Sequence, residues 1–418
     1  LALAAAPALA QELLVTNTVP ANGSNDVDQA VNLVAQFNME VMGSTVTTNR
    51  FFAYSPLRGY RYGAIAFNAA TNQATLDPAA DFEPGERPFV YVARGITNAA
   101  GTTSITPRAW SFYAAATNGN ARFAENGQVL TASVASVACG DVNGDGHLDA
   151  VLALHDPFLG FRVMLNDGHG VFTQRSDAVI GSGGYFSLAL ADVDRDNDLD
   201  LFFSSLNTNI SLWLNDGSGA FTNSGQSLPI AEAMTVADFD GDGSCDLVAG
   251  EEMDSFVYVC LNDGAGRLTN HIHTYSTWGV MGQDVGDMDG DGDLDIVSTD
   301  DVLLNDGTGH FTKGAATGGY GYDVAVGDLD GDGDLDLVGV SDFGFMSGMS
   351  RCLRVAFNDG AGQFPSSYTN GPDHSFGWEV ELGDLDGDGD LDVVAGGPLI
   401  SGHTAMIWTN DGLGNLSI

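Results

Sequence analysis

One nine-residue frame recurs six times in this chain and limits what the chain can become. At Asp328–Asp336 it reads Asp-Leu-Asp-Gly-Asp-Gly-Asp-Leu-Asp. The same pattern, D-x-[DN]-x-D-[GN]-x-x-D, begins at Asp141, Asp192, Asp238, Asp287, Asp328 and Asp384. Carboxylates crowded this closely repel one another, so a fold that gathers them needs a counter-charge. A hard divalent cation suits that role. Calcium takes about six to eight oxygen ligands, and an acidic loop with glycine at its sixth position is how an EF-hand loop begins. No EF-hand follows here. After position 9 comes Leu-Val-Gly-Val, a strand pattern, where an EF-hand would run into a helix.

The frame assigns a role to each position. Positions 1, 3 and 5 offer side-chain oxygens. These are Asp141, Asn143 and Asp145; Asp192, Asp194 and Asp196; Asp238, Asp240 and Asp242; Asp287, Asp289 and Asp291; Asp328, Asp330 and Asp332; Asp384, Asp386 and Asp388. Position 7 offers a backbone carbonyl, so its side chain is free to vary: His147, Asp198, Ser244, Asp293, Asp334 and Asp390. Position 9 closes the shell with Asp149, Asp200, Asp246, Asp295, Asp336 and Asp392. Position 6 is glycine except at Asn197, and asparagine is the next most tolerant residue for a left-handed turn. Asn143 keeps an oxygen and drops a charge, so the first site is expected to be weaker. One copy alone would fit a solvated Asp/Gly turn without metal. Six copies, each between apolar runs, point to about six calcium sites, one per repeat.

The net charge of −42, with Lys313 the sole lysine, follows partly from these loops, which hold about half of the 56 acidic residues. Such a surface repels nucleic acid and anionic lipid, both of which are bound through Lys and Arg. Adaptation to a saline habitat would leave the same composition. Residues 1–10, LALAAAPALA, end in Ala-Leu-Ala before Gln11 and resemble the tail of a secretory signal peptide with its cleavage site. No later stretch reaches the roughly 18 apolar residues of a membrane span. The expectation is therefore an exported chain, secreted or at the cell surface, either a monomer or part of a longer multidomain surface protein.

Residues 12–116 read as a different unit. Alternating runs at Leu13–Val15, Val31–Phe37, Phe51–Tyr54, Ala64–Phe67, Ala74–Leu76, Phe89–Ala93 and Ala109–Tyr113 are separated by turns such as Pro20–Gly23 and Pro84-Gly85. Seven short strands over about 100 residues argue for a β-sandwich. With Pro20-x-x-Gly23, Phe37-Asn38-Met39, Ser44-Thr45-Val46, Pro84-Gly85 and Trp110-x-Phe112, the unit resembles a bacterial Ig-like domain of the S-layer type. The resemblance implies a spacer or an adhesion module. Residues 117–120 form a polar link.

From residue 121 to 418, each acidic loop is followed by a β run, a variable turn and a second run. That second run ends in Asn-Asp-Gly-x-Gly, at Asn166, Asn215, Asn262, Asn305, Asn358 and Asn410. Asn-Gly and Asp-Gly favour tight hairpins. A short strand with Phe or Leu comes next. In the fifth repeat the four strands are expected at 323–326, 335–340, 352–357 and 363–365. A four-stranded unit recurring at roughly 40–55 residues means a propeller blade, so the fold class is all-β: a sandwich followed by a β-propeller. The loop and the Asn-Asp-Gly turn recurring together resemble the FG-GAP or VCBS repeats found also in integrin α-subunit heads. The resemblance implies calcium in a loop joining the first and second strands of each blade. Blade number stays open. Gly119–Phe123 reads as a fourth strand without a blade before it, so the ring is either six-bladed with a spare strand or completed to seven by chain beyond Ile418.

Cys245 and Cys260 flank a hairpin turning at Glu251–Asp254, and symmetric pairing about that turn sets them opposite each other for a disulfide; two free thiols are the alternative. Cys139 and Cys352 lie in distant blades. The eight histidines are scattered, and no nucleophile elbow, zinc-protease helix or phosphate loop occurs. Counting back six from each loop gives Ala135, Phe186, Glu232, Met281, Tyr322 and Trp378, expected to ring the mouth opposite the loops. With Trp278, Tyr320 and Phe376, and with Asp284, Asp323, Glu379 and Glu381 nearby, they form a candidate surface for a glycan or an extracellular protein. Packing between blades is the competing role. Three functions follow: a calcium-dependent binding or adhesion module, an extracellular polysaccharide-cleaving enzyme, or a structural surface component.

Overall fold

Short runs rich in β-branched and aromatic residues, broken by Gly, Pro, Asn and Asp, give strands and no α-helix among the described residues. The computed structural model describes all residues except 1–11, 117–127, 129–133, 155–159, 181–185, 206–207, 232, 252–255, 276–281, 318–321, 342–351, 371–378, 400–401 and 418. The apolar start, the 117–120 link and the Gly119–Phe123 strand therefore fall outside the described residues.

The N-terminal unit is a sandwich of two four-stranded sheets. One holds β1 (Val15–Val19), β2 (Leu33–Phe37), β5 (Gly63–Asn68) and β6 (Gln73–Pro78), in the order β1-β2-β6-β5. The other holds β3 (Phe51–Ser55), β4 (Gly59–Arg61), β7 (Phe89–Val92) and β8 (Arg108–Ser111), in the order β4-β3-β7-β8. β4 is an eighth strand, too short to show as an alternating run. Leu33, Phe37, Phe51, Val90, Trp110 and Phe112 fill the space between the sheets. β3 and β7 are buried at every position, not at alternate ones. Their outward residues Phe52, Tyr54 and Tyr91 join Ala191, Val193, Phe239 and Leu247 of the repeat region in one core. The second sheet thus packs on both faces.

The six repeats fold as six antiparallel sheets. Blade 1 is β9 (Val134–Gly140), β10 (Asp149–Leu154), β11 (Gly160–Asn166) and β12 (Phe172–Val179). Blade 2 is β13 (Phe186–Ala191), β14 (Asp200–Ser205), β15 (Thr208–Asn215) and β16 (Phe221–Leu228). Blade 3 is β17 (Ala233–Ala237), β18 (Asp246–Glu251), β19 (Phe256–Asn262) and β20 (Leu268–Tyr275). Blade 4 is β21 (Gln283–Gly286), β22 (Asp295–Ser298), β23 (Asp301–Asn305) and β24 (Phe311–Ala316). Blade 5 is β25 (Asp323–Gly327), β26 (Asp336–Ser341), β27 (Cys352–Phe357) and β28 (Ser366–Asn370). Blade 6 has β29 (Glu379–Gly383), β30 (Asp392–Leu399) and β31 (Gly402–Trp408), with an isolated bridge between Thr409 and Ser417. The last strand of blade 5 begins at Ser366 and not at Gln363, because Pro365 has no N–H to give to a ladder.

The first strands β9, β13, β17, β21, β25 and β29 pack side by side in sequence order and line one cavity of about 460 Å³. Ser55–Leu57, Arg87 and Tyr113 of the sandwich line it too. Among the described residues, β9 and β29 do not pack on each other as the other neighbours do.

Candidate metal centres

Every acidic loop joins the first and second strands of its blade, and one set of hydrogen bonds builds all six. The position-9 carboxylate is a staple before it is anything else. Asp246 accepts from Phe239 N–H at 3.0 Å, within the loop, and from Asn262 N–H at 2.8 Å, at the Asn-Asp-Gly turn. Asp149, Asp200, Asp295, Asp336 and Asp392 accept the equivalent pairs. In five of the loops the position-1 carboxylate also accepts the position-6 N–H, as Asp238 does from Gly243 at 2.8 Å. Position 6 has positive φ throughout, and Asn197 takes it at +73°. Position 4 does so as well: it is glycine in five loops and Arg195 at +63° in the second. That second requirement shows in the sequence as a glycine recurring at position 4. Position 7 lies against the turn glycine. A Cβ on Gly217 would come 2.6 Å from an Asp198 oxygen, so glycine is needed there for space as well as for φ.

These bonds bring carboxylates together. Ligand oxygens of Asp192, Asp194 and Asp200 lie within 4.8 Å of one another, as do those of Asp238, Asp240 and Asp246. So do those of Asp287, Asp289 and Asp291, of Asp328, Asp330 and Asp332, and of Asp384, Asp386 and Asp392. These five groups can hold metal ions. Asp192 and Asp287 are fully or almost fully buried, and Asp192 Oδ1 and both Asp287 oxygens accept no hydrogen bond. Burial pushes Asp192 up to about 7 and Asp200 and Asp295 up to about 8, with nearby carboxylates adding to the shift and backbone N–H groups opposing it. It raises Asp238 and Asp246 as well, again reinforced by their carboxylate neighbours. Carboxylates that resist ionising for want of a counter-charge fit a divalent cation in chemistry and in spacing. In these five groups, side-chain positions 1 and 3 always take part, joined by 5 or by 9. Position-7 side chains do not.

The sandwich sits on this loop face and touches every loop. Arg58 reaches Asp141 in the first loop. Gly59 lies against Asp192 and Leu199, and Arg195 stacks 5.5 Å from the ring of Tyr60. Tyr60 donates to Gly243 O at 2.9 Å, and Arg94 N–H to Gly241 O at 2.8 Å. Ala109 N–H reaches Gly292 O at 2.7 Å, and Asn25 the Asp328 carbonyl at 3.0 Å. Asp26 lies against Gly389. Blades are also latched to one another. Asn262 of the blade 3 turn donates to Val193 O in blade 2 at 2.8 Å and to Cys245 O at 3.0 Å. Asn215, Asn305, Asn358 and Asn410 each reach back one blade in the same way. Asn166 finds Leu148 O in its own loop.

Of the aromatics expected at a binding mouth, Trp278, Tyr320, Phe376 and Trp378 lie outside the described residues, as do Glu232 and Met281. Phe186 opens β13, and Ala135 is half-buried in β9. Tyr322 is half-buried before β25, its N–H on Val340 O. Two of the acids are occupied in holding blades together. Asp284 pairs with Arg87 at 2.9 Å and accepts Val326 N–H, and Asp323 accepts Val380 N–H. The disulfide expectation is corrected. Glu251 pairs with Phe256, so the hairpin is centred one residue later than counted, and Cys260 faces Leu247. Cys245 and Cys260 are free and buried.

Family models match two parts of the chain. A bacterial Ig-like domain covers residues 10–114, and an FG-GAP-like repeat covers 141–203, 192–249, 238–298 and 342–395. No curated protein matches the chain. Similar solved structures include the Vibrio cholerae biofilm matrix protein Bap1, at 18% identity and TM-score 0.38, over 60% of this chain and 42% of that one. The N-terminal part of the bacterial S-layer protein SbsC is 13% identical at TM-score 0.21, over 52% and 42%. BBS1N, in complex with ARL6DN, is 13% identical at TM-score 0.37, over 69% and 96%. The chain thus spans less than half the length of the first two. No helix of the described residues is long and apolar enough to cross a membrane. The chain belongs to the FG-GAP-like repeat family and carries a bacterial Ig-like domain ahead of its repeats.

Proposed function

We propose that this is an exported calcium-binding β-propeller, a surface or extracellular module in which the cations hold the blades to one another and to the docked Ig-like domain. The observation that carries the reading is the set of five carboxylate groups, each with ligand oxygens within 4.8 Å, built into a face that the Ig-like domain covers. In each group, positions 1 and 3 together with 5 or 9 hold the ion. The ion supplies charge neutralisation and a cross-link between two strand ends. The sandwich, seated over the loops through Arg94, Tyr60 and Asn25, acts as a hub of the assembly rather than as a loose spacer.

Structural and binding roles fit this reading together, with a glycan or an extracellular protein as the ligand class. A glycan array read with calcium and again with EGTA tests the binding role. Calcium-dependent spots without product support it, and release of shorter sugars would replace it by a hydrolase. Silence on every array, with a melting temperature that still responds to calcium, leaves the structural role.

A further inference from the structure

The six loops share a frame, yet the first is wired differently. Arg58, in the turn between β3 and β4, sends Nη1 to Asp141 Oδ2 and Nη2 to Gly146 O, both at 2.8 Å, while Nη2 also pairs with Glu83. Its side chain is 10% exposed, so this contact is shielded from water. Asn143, at position 3, accepts Asp145 N–H on its oxygen at 3.0 Å, which fixes the orientation of the amide. Its nitrogen then donates to Asp145 Oδ2 at 2.9 Å, placing a donor where the other loops place a carboxylate.

The consequence is a complete set of hydrogen bonds. Asp141 Oδ1 accepts Asp145 N–H and Oδ2 accepts Gly146 N–H besides Arg58. Asp145 Oδ1 accepts His147 N–H, and both Asp149 oxygens accept backbone N–H groups. No oxygen of these three carboxylates is left over, whereas the second loop keeps Asp192 Oδ1 and Asp194 Oδ1 buried and without a hydrogen bond. The first loop is also missing from the groups that bring three acidic ligand atoms within 4.8 Å. A nearby arginine does not by itself produce this. Arg108 stands 3.7 Å from Asp287 in the fourth loop, and Asp287, Asp289 and Asp291 still form a group.

We propose that the first loop is not a divalent-cation site. Arg58 supplies the positive charge there, and the guanidinium ties blade 1 to the Ig-like domain whether or not calcium is present. The geometry suits it: an arginine fork holds a carboxylate and a carbonyl together as a cation would, but as a side chain anchored in the other domain. The inference rests on the reading that the remaining loops bind calcium, so the test counts ions.

Native mass spectrometry of the full chain, saturated with calcium and exchanged into ammonium acetate, is expected to show five bound ions. Six would overturn the proposal and leave the calcium reading standing. None would overturn the calcium reading itself, and with it the contrast between the first loop and the rest. The Arg58→Ala/Asn143→Asp double variant is expected to gain a sixth ion, and a count held at five would remove Arg58 from its assigned role. As a gentler check, Asp141→Asn is expected to keep five, and a fall to four would place a cation in the first loop.

Discussion

Blades 1 and 3 are written in the same frame and meet different surroundings. In blade 3, Val236 two residues before the loop is buried, Asp238 and Asp246 are buried, and Asn262 is latched to blade 2. In blade 1 the matching residue, Cys139, is exposed, Val137 is 52% exposed, and Asn166 bonds within its own blade. In blade 2, Leu188 and Leu190 stand where Val137 and Cys139 stand in blade 1, and both are buried against blade 1. The frame therefore specifies a contact with a preceding blade, and the neighbour decides whether the contact is made. Such nearest-neighbour stability is what a repeat array is expected to have.

The largest effect expected from breaking this pattern is loss of cation. A site at 100 times its Kd adds about 2.7 kcal/mol. Stripping several sites with EGTA should therefore lower Tm by on the order of 10–20 °C, and calcium should restore it. Hydrogen exchange on the chelated chain should show the blade 3 loop opening well before the first loop, which Arg58 pins. Equal exposure of both would end the distinction between them.

The turn asparagines come next. Asn262→Ala leaves two buried carbonyls without a donor and should cost about 2–3 kcal/mol, whereas Asn166→Ala removes a half-buried bond and should cost about 1 kcal/mol. Urea unfolding of both variants measures the gap.

A pH effect follows from the buried carboxylates. Asp192, Asp200 and Asp295 are raised to about 7 or 8, so the calcium-free folded chain holds protons that the unfolded chain releases near pH 4. Stability of the chelated protein should then fall as pH rises from about 4 to 8. Calcium competes with those protons, so the loaded protein should lose this slope, and its affinity for calcium should rise over the same range. Melts at pH 5 and pH 8, with and without EGTA, read both signs.

The smallest effect is chemical. An alkylating reagent should modify Cys139 in the native protein and spare Cys245 and Cys260 in blade 3, where burial holds both thiols up, Cys260 to about 12. Peptide mapping after a short exposure distinguishes them.

Much of this was legible in the chain. Six copies of a loop and a turn, each bracketed by apolar runs, gave the blades and located the carboxylates that meet. Contacts set by other parts of the chain were harder to read. The docking of the Ig-like domain left one trace, the unbroken apolar runs Phe51–Tyr54 and Phe89–Ala93, because a sheet covered on both faces loses its alternation. Asn143 was read as a weakened ligand. Its amide is turned by Asp145 N–H and donates back to Asp145, while the charge on Asp141 is met by Arg58, more than eighty residues away in sequence, which no local pattern reveals. The cysteine pairing failed on a one-residue shift of a hairpin centre, which moves every cross-strand partner by two. The Asn-Asp-Gly turn was read as hairpin chemistry, and its second use, a side chain reaching into the preceding blade, follows only from the stacking of the sheets.

The central claim is that divalent cations occupy the carboxylate groups and bind the blades and the Ig-like domain into one body. An anomalous difference map from crystals grown in calcium tests it most directly. Peaks between positions 1 and 3 of the loops starting at Asp192, Asp238, Asp287, Asp328 and Asp384, with none beside Arg58, are the expected result. Empty density in those five loops at saturating calcium would contradict it.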